Sequence, residues 1–352
     1  QQQQQQQAPR RNPTGQCACS SGAMTHTQMM THIPMHCHQP QQEPKSLLHD
    51  EIITFASSNL ATSDSYRNDI DRITASLKAV VSMRWPSATV ELYGSRSTGL
   101  FLATSDMDVV LMGVPCTAKD VGEALTRLRD DLVQQPWVTS HTLVLSARIP
   151  VLKLQSQSGV PVDITISASM MHTGLQARDL LLAFLADSPQ LAPLVVVFKT
   201  FLRDLGLNDP YTGGLSSYCL VVLLYNFWRE SLQVGFQVGD CGALLVGFLS
   251  VFASRFEHNV SHVDDPLAPT HHLEDGTMIV GDNIMQSCYQ IGRVCQGFRL
   301  ALAAVNPESC PWDKSEVELL PKLFAVARAN GVGHMSTQTD MMEPRLGKVL
   351  SE

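Results

Sequence analysis

Positive charge is scarce in this 352-residue chain: 25 Lys and Arg against 33 Asp and Glu leave a formal net charge of −8 with histidine neutral. Gripping nucleic acid by wholesale phosphate neutralisation needs clustered basic residues, so that mode is excluded, and any nucleic-acid substrate has to be held by a local groove or a partner. Long apolar runs are missing too. The longest, Leu191–Phe198 and Cys219–Trp228, fall short of the roughly 20 residues a membrane-spanning helix needs; they read as buried core, and no membrane partner is expected. The nine cysteines are odd in number and irregularly spaced, and no basic stretch followed by an apolar one opens the chain. A disulfide framework is therefore not indicated, and reduced thiols in the cytosol or nucleus are expected.

What is present divides by composition and period. From Gln1 to about Lys45 the residues are Gln, Pro, Met, His and Ser with little apolar periodicity, a composition expected to stay disordered. Its Cys17, Cys19, His32, His36, Cys37 and His38 match no standard zinc spacing. Leu47, Leu48, Ile52 and Phe55 then recur at helical spacing. A second helix is expected from Ser65 to Arg84 on the stripe Ile70, Ile73, Leu77 and Val80, closed by Trp85-Pro86.

Strand-like runs follow at Thr89–Tyr93, Met107–Met112, Thr142–Val144 with Ala147–Leu154, and Val160–Ile166, with a helix over Ala118–Val133. From Gly174 the period is helical, over Leu175–Leu185, Leu194–Leu205, Ser216–Glu230, Ala243–Phe256 and Asn283–Val305. The expected class is α+β: a mixed-sheet domain over 65–173, an all-α domain over 174–329 joined by the helix of 46–64, and tails at 1–45 and 330–352.

The densest chemistry lies between Gly94 and Asp108. Asp106 and Asp108 lead into the apolar run Val109–Met112, and residues i and i+2 of a strand point to one face, at roughly 6–7 Å Cα spacing. Two such carboxylates repel unless a cation or solvent compensates them, and oxygen donors of this kind suit Mg²⁺. Two-metal phosphoryl transfer places ions about 3.5–4 Å apart and calls for a third carboxylate on the activating side. Asp163, the one acid in Val160–Ile166, fits. Gly94-Ser95, after Val90–Tyr93 and before Thr98-Gly99, lets the backbone turn closely against a phosphate while Ser95 offers its N–H and hydroxyl.

Tyr93-Gly94-Ser95-Arg96-Ser97-Thr98-Gly99-Leu100 followed by Thr104-Ser105-Asp106-Met107-Asp108-Val109-Val110 resembles, nearly residue for residue, the Trf-type poly(A) polymerase branch (DNA polymerase sigma) of the DNA polymerase β-like nucleotidyltransferases. Arg84-Trp85-Pro86-Ser87-Ala88 does so as well. Ile149-Pro150-Val151-Leu152-Lys153 with Val162-Asp163-Ile164 resembles the third-carboxylate strand. Val197-Phe198-Lys199 and Tyr211-Thr212-Gly213-Gly214-Leu215-Ser216-Ser217-Tyr218 resemble the helical PAP-associated domain, and the likeness runs from about Leu47 to Pro307.

The resemblance implies a polymerase β-like palm packed on an all-α central domain, with template-independent addition of AMP from ATP to RNA 3′ ends. It implies two Mg²⁺ or Mn²⁺ ions on Asp106, Asp108 and Asp163, and triphosphate contacts from Gly94, Ser95, Lys199 and Arg203. Ser217 and Tyr218 are then placed on phosphate and base, and Asp282 and Asn283 at base recognition. A zinc-knuckle RNA-binding protein and an RNA helicase are the implied partners, and the nucleus is the implied compartment, with nucleolus or cytoplasm as alternatives. A uridylyltransferase and an inactive scaffold of the same fold are the rival readings. Uridylyl-adding relatives carry a histidine directly before the asparagine that Asn283 matches, and this chain has Asp282 there. It also has Thr173-Gly174 where the branch has Asn-Gly, and Arg203 where some relatives have lysine.

Overall fold

The computed structural model describes residues 45–331 apart from 65, 237, 256–284, 286 and 306–317. The sequence-based expectation of disordered tails, the cysteine and histidine residues before Lys45, and both Asp282 and Asn283 lie outside the described residues.

Helices α1 (Leu47–Asp64) and α2 (Arg67–Arg84) precede strand β1 (Thr89–Tyr93), the single-turn helix α3 (Gly94–Thr98) and strand β2 (Met107–Met112). Helix α4 (Val121–Leu132) leads to β3 (Val138–Val144), β4 (Val151–Ser156) and β5 (Pro161–Ile166). The five strands form one sheet in the order β1-β2-β5-β4-β3. Only β2 and β5 run parallel; the other pairings are antiparallel.

Alternation decides the two faces of this sheet. Met107, Val109 and Leu111 of β2, Val162 and Ile164 of β5, and Leu152 and Leu154 of β4 are all buried in one core with Ile73, Leu77 and Val81 of α2 and Leu125, Leu128 and Leu132 of α4. Helix α4 supplies its apolar stripe at positions 121, 124, 125, 128 and 132, the spacing of an amphipathic helix laid on a sheet. The residues between those of the core face, including Asp108, Asp163 and Lys153, point away from α2 and α4.

The later helices are α5 (Thr173–Asp187), α6 (Leu191–Asp204), α7 (Ser217–Gln233), α8 (Cys241–Arg255), α9 (Ile291–Val305) and α10 (Leu319–Asn330), with one 3₁₀ turn at Pro210–Thr212. Every residue from Leu194 to Leu202 is buried, so α6 is the central rod of this layer. Phe198 meets Phe248 with ring centroids 5.0 Å apart and Phe298 at 5.7 Å, both edge-on, an arrangement aromatic rings favour. Helix α1 joins this layer through polar ties: the Ser46 N–H donates to Asp240 at 2.7 Å, the Cys241 N–H donates to His49 Nδ1 at 3.0 Å, and Glu51 accepts the Leu319 and Leu320 N–H groups. Glu51 thus satisfies amides that the start of α10 leaves open. Arg178 of α5 reaches the sheet, donating to the Leu92 carbonyl at 2.9 Å.

Three expectations need correction. Residues 147–150 are not strand, because Pro150 cannot donate to a ladder and β4 starts at Val151. Helix α9 begins at Ile291 rather than Asn283, and Cys288, Tyr289 and Gln290 lie in the turn before it, where the Gln290 N–H is bound to the Gly213 carbonyl at 2.9 Å. Helix α10 was not expected at all, although Leu320, Leu323, Phe324 and Ala327 bury one face of it. Among the described residues no helix is long and apolar enough to cross a membrane.

Leu128 is fully buried between α4 and the sheet, so Leu128→Ala is expected to destabilise the fold by about 2–5 kcal/mol. Arg127→Ala, at an exposed neighbour, is expected to stay within about 0.5 kcal/mol. Urea unfolding followed by circular dichroism measures both, and equal losses would contradict the face assignment.

Candidate active site

The strand registers set four side chains in one row across the face of the sheet opposite α2 and α4. Tyr93 pairs with Asp108, Asp108 with Asp163, and Asp163 with Lys153. Neighbouring strands lie about 4.8 Å apart, so parallel pairing alone brings two carboxylates side by side. Asp106, exposed and one residue ahead of β2, supplies a third.

Electrostatics records the crowding. Burial, then repulsion from Asp106 and Asp163, pushes the Asp108 carboxyl up to about 7. Burial also raises Asp163, although Lys153 pulls it back through a hydrogen-bonded ion pair. Lys153 itself is raised: burial works against its charge, but the bond and the attraction to Asp163 outweigh it.

Gly94 is the residue this row requires. Its φ is +70°, a conformation that L side chains rarely adopt, and a Cβ placed there would stand 2.0 Å from an Asp108 carboxylate oxygen. Only glycine lets the backbone pass this close to the acid. Ser95 follows in the first turn of α3, which is fastened by the Ser97 hydroxyl donating to the Gly94 carbonyl at 2.8 Å and by the Leu100 N–H donating to the Ser95 carbonyl at 3.0 Å.

Lys199 enters from α6. It is 8% exposed and donates to the Leu100 carbonyl at 2.6 Å. Burial lowers it to about 8, against the pull of Asp106 and Asp108. The structure therefore brings together Asp106, Asp108, Asp163, Gly94, Ser95 and Lys199. Arg203 stands one turn further along α6, but its guanidinium is bonded to Asp204 on its own helix. Ser217 opens α7, whose N-cap Ser216 accepts the Cys219 N–H at 3.1 Å. Tyr218 is half-buried, and burial raises its phenol.

Two contributors carry no role in the sequence reading. Lys153 reveals itself only through its cross-strand register with Asp163. His172 packs edge-on against Tyr93 with centroids 5.0 Å apart, and a Cβ on Gly174 would come within 2.6 Å of that tyrosine ring. This contact accounts for the glycine of Thr173-Gly174.

The donor set fits a hard divalent cation: three carboxylates, one of them half-buried and repelled by the other two, with Lys153 and Lys199 offsetting that repulsion only in part. The side chains do not converge on a ready cage, since among the described residues no group of three such donors is poised around one point. The Asp163 carboxylate is turned to Lys153 instead, and that ammonium already supplies the positive charge which the row calls for.

A sheet in this order, with paired acids on its open face and a helical layer closing over them, defines the nucleotidyltransferase fold. The polymerase core of TRAMP, an RNA surveillance complex, superposes with a TM-score of 0.64 at 20% identity, over 86% of this chain and 99% of that one. A family model for the central palm domain of mitochondrial-like poly(A) RNA polymerase matches residues 48–185. The Drosophila melanogaster protein named inactive non-canonical poly(A) RNA polymerase protein Trf4-2 is 31% identical over 296 residues, covering 74% of this chain and 68% of that protein. The chain belongs to the Trf-type non-canonical poly(A) RNA polymerase family. Poly(A) RNA polymerase protein 2 of Saccharomyces cerevisiae is 28% identical over 232 residues, which is 64% of this chain and 38% of that relative. The chain thus matches well under half the length of the yeast protein.

The Asp108 carboxyl gives a stability prediction. Its folded value near 7 exceeds the unfolded value of about 3.9, so the folded state binds more protons between them and metal-free stability falls as pH rises through that window. Asp108→Asn is expected to match the parent near pH 4 and to exceed it above pH 7 by an amount on the order of 2–4 kcal/mol. Thermal unfolding across pH in a chelating buffer measures the difference. A variant less stable than the parent at pH 7.5 would contradict the repulsion.

Proposed function

We propose that the chain is a template-independent RNA 3′-terminal nucleotidyltransferase that transfers AMP from ATP. The observation that carries this reading is the register of Asp108 with Asp163 on the parallel strand pair, with Asp106 beside them and Gly94 packed on Asp108. Asp106 and Asp108 would hold magnesium or manganese with Asp163 as the third ligand, two ions in all. Bound there, the ions supply activation of the RNA 3′ hydroxyl and stabilisation of the departing pyrophosphate.

The remaining work falls to the chain's own groups. Gly94 and Ser95 bring backbone and hydroxyl donors to the triphosphate, and Lys199, released from the Leu100 carbonyl, offers a compact charge to it. The start of α7 at Ser217 presents amides that favour an anion. Tyr218 offers a ring face on which a base stacks. Bond formation at the α-phosphorus breaks its bond to the bridging oxygen of the β-phosphate, and the hydroxyl proton leaves as the new ester forms.

ATP is the proposed substrate because the resemblance aligns Asp282 with base recognition, where a carboxylate would accept from the adenine amino group, whereas uracil would set a carbonyl acceptor against it. RNA grip from a partner is the complement of the net charge of −8. A zinc-knuckle RNA-binding protein with a helicase, working in nuclear RNA surveillance, is the setting we infer. That the TRAMP polymerase core is part of an RNA surveillance complex supports this setting.

The test is extension of a labelled oligo(A) RNA with Mg²⁺ or Mn²⁺ and each nucleoside triphosphate separately. The expected result is extension with ATP, a loss of about 100-fold or more in Asp106→Ala and Asp108→Ala, and a shift toward UTP in Asp282→His. A folded parent that extends nothing in the presence of an RNA-binding partner would favour the inactive-scaffold reading of this chain. A parent that prefers UTP would overturn the base assignment.

A further inference from the structure

The segment from Gly99 to Asp106 carries the first carboxylate but contributes no strand or helix of its own, so its course depends on what binds its carbonyls. Three side chains from three elements do. Lys199 of α6 donates to the Leu100 carbonyl at 2.6 Å, and Asn59 of α1 donates to the Phe101 carbonyl at 2.8 Å. Arg96 of α3 donates from Nε at 2.9 Å, and also from Nη2, to the Ser105 carbonyl. A turn closes the segment, with the Ser105 N–H donating to the Leu102 carbonyl at 2.9 Å and the Leu102 N–H to the Ser105 hydroxyl at 3.0 Å.

The Arg96 contact differs from the others in where it lands. The Ser105 carbonyl belongs to the peptide that leads directly into Asp106, so two donors on one oxygen fix the orientation of that peptide plane. The guanidinium is held in turn: it lies over the Phe101 ring, 5.2 Å from the centroid, and its Nη1 is buried without a hydrogen-bond partner. Burial lowers its pKa while the charges of Asp106 and Asp108 oppose that lowering. An uncharged amide would suffice to hold a carbonyl. A guanidinium adds a rigid planar fork and a fixed positive charge next to two carboxylates that repel each other.

We propose that Arg96 is a positioning residue for the metal site, setting the Ser105–Asp106 peptide so that Asp106 stands beside Asp108 and reducing the repulsion between them. It acts through the backbone and touches neither nucleotide nor cation. The inference rests on the metal-dependent reading of Asp106, Asp108 and Asp163.

The test uses the full chain with Arg96→Gln and Arg96→Lys, read by Mg²⁺-dependent thermal stabilisation and by oligo(A) extension. Arg96→Gln is expected to raise the Mg²⁺ midpoint about tenfold or more, the size typical of residues that orient metal ligands. It should lower kcat at limiting Mg²⁺ while leaving KM for ATP within about twofold. Arg96→Lys is expected to recover part of the midpoint, because one donor to the Ser105 carbonyl returns. A purely structural arginine would lower the metal-free Tm, leave the midpoint unchanged and make Lys no better than Gln, and that pattern overturns the proposal. Should the Gln variant not fold, the Lys variant decides: a midpoint displaced from the parent's supports positioning, and an unchanged one rejects it. Metal-dependent stabilisation of the parent without nucleotide addition would sink the proposed function but leave the positioning role standing. A parent that Mg²⁺ does not stabilise removes both.

Discussion

The site depends on one pairing, the parallel ladder between β2 and β5 in which Asp108 and Asp163 are register partners. A one-residue slip would turn one carboxylate into the apolar core and bring a buried aliphatic residue to the open face. Such a slip is opposed from below, since Met107, Val109 and Leu111 on β2 and Val162 and Ile164 on β5 are each at most 1% exposed. The same alternation that builds the core therefore fixes the spacing of the acids. Fold stability and site geometry are two faces of one strand pair.

Placing acids this way is electrostatically unfavourable, and the surrounding cations are arranged around that fact. Lys153 meets Asp163 from β4, Lys199 comes from the helical layer to the segment ahead of Asp106, and Arg96 reaches that segment from α3. Two of the three spend hydrogen bonds on backbone carbonyls rather than on carboxylates. Asp108 is raised by burial and by repulsion from Asp106 and Asp163, which Lys153 and Lys199 offset only in part, and a divalent cation would relieve that repulsion. The helical layer contributes through Lys199, so the position of α6 on the sheet bears on the acids, while Arg178 ties α5 to the sheet at the Leu92 carbonyl.

Much of this was legible in the chain before any coordinates. The Gly94-Ser95 to Asp106-Met107-Asp108 spacing and the lone acid in Val160–Ile166 pointed to residues that the fold brings together, and the helical period beyond Gly174 pointed to the fold class. What escaped has physical reasons. Lys153 is coupled to Asp163 across strands, and sequence separation says nothing about register. Arg96 works on a backbone carbonyl nine residues away, a partner without any side-chain signature. Helix α10 was passed over although its buried stripe is regular; its Pro321 lies in the first turn, where proline is tolerated. The base-recognition residues Asp282 and Asn283 lie outside the described residues, so the structure adds nothing to their assignment.

The central claim is that the acids on β2 and β5, with Asp106, form a cation site that takes over from Lys153. The direct measurement is a crystal structure of the full chain with Mn²⁺ and a non-hydrolysable ATP analogue, using anomalous scattering to locate the metal. The account predicts manganese density at Asp106 and Asp108, with Asp163 no longer paired to Lys153. Analogue bound in the cleft without manganese at these carboxylates, and with Asp163 still paired to Lys153, would contradict it.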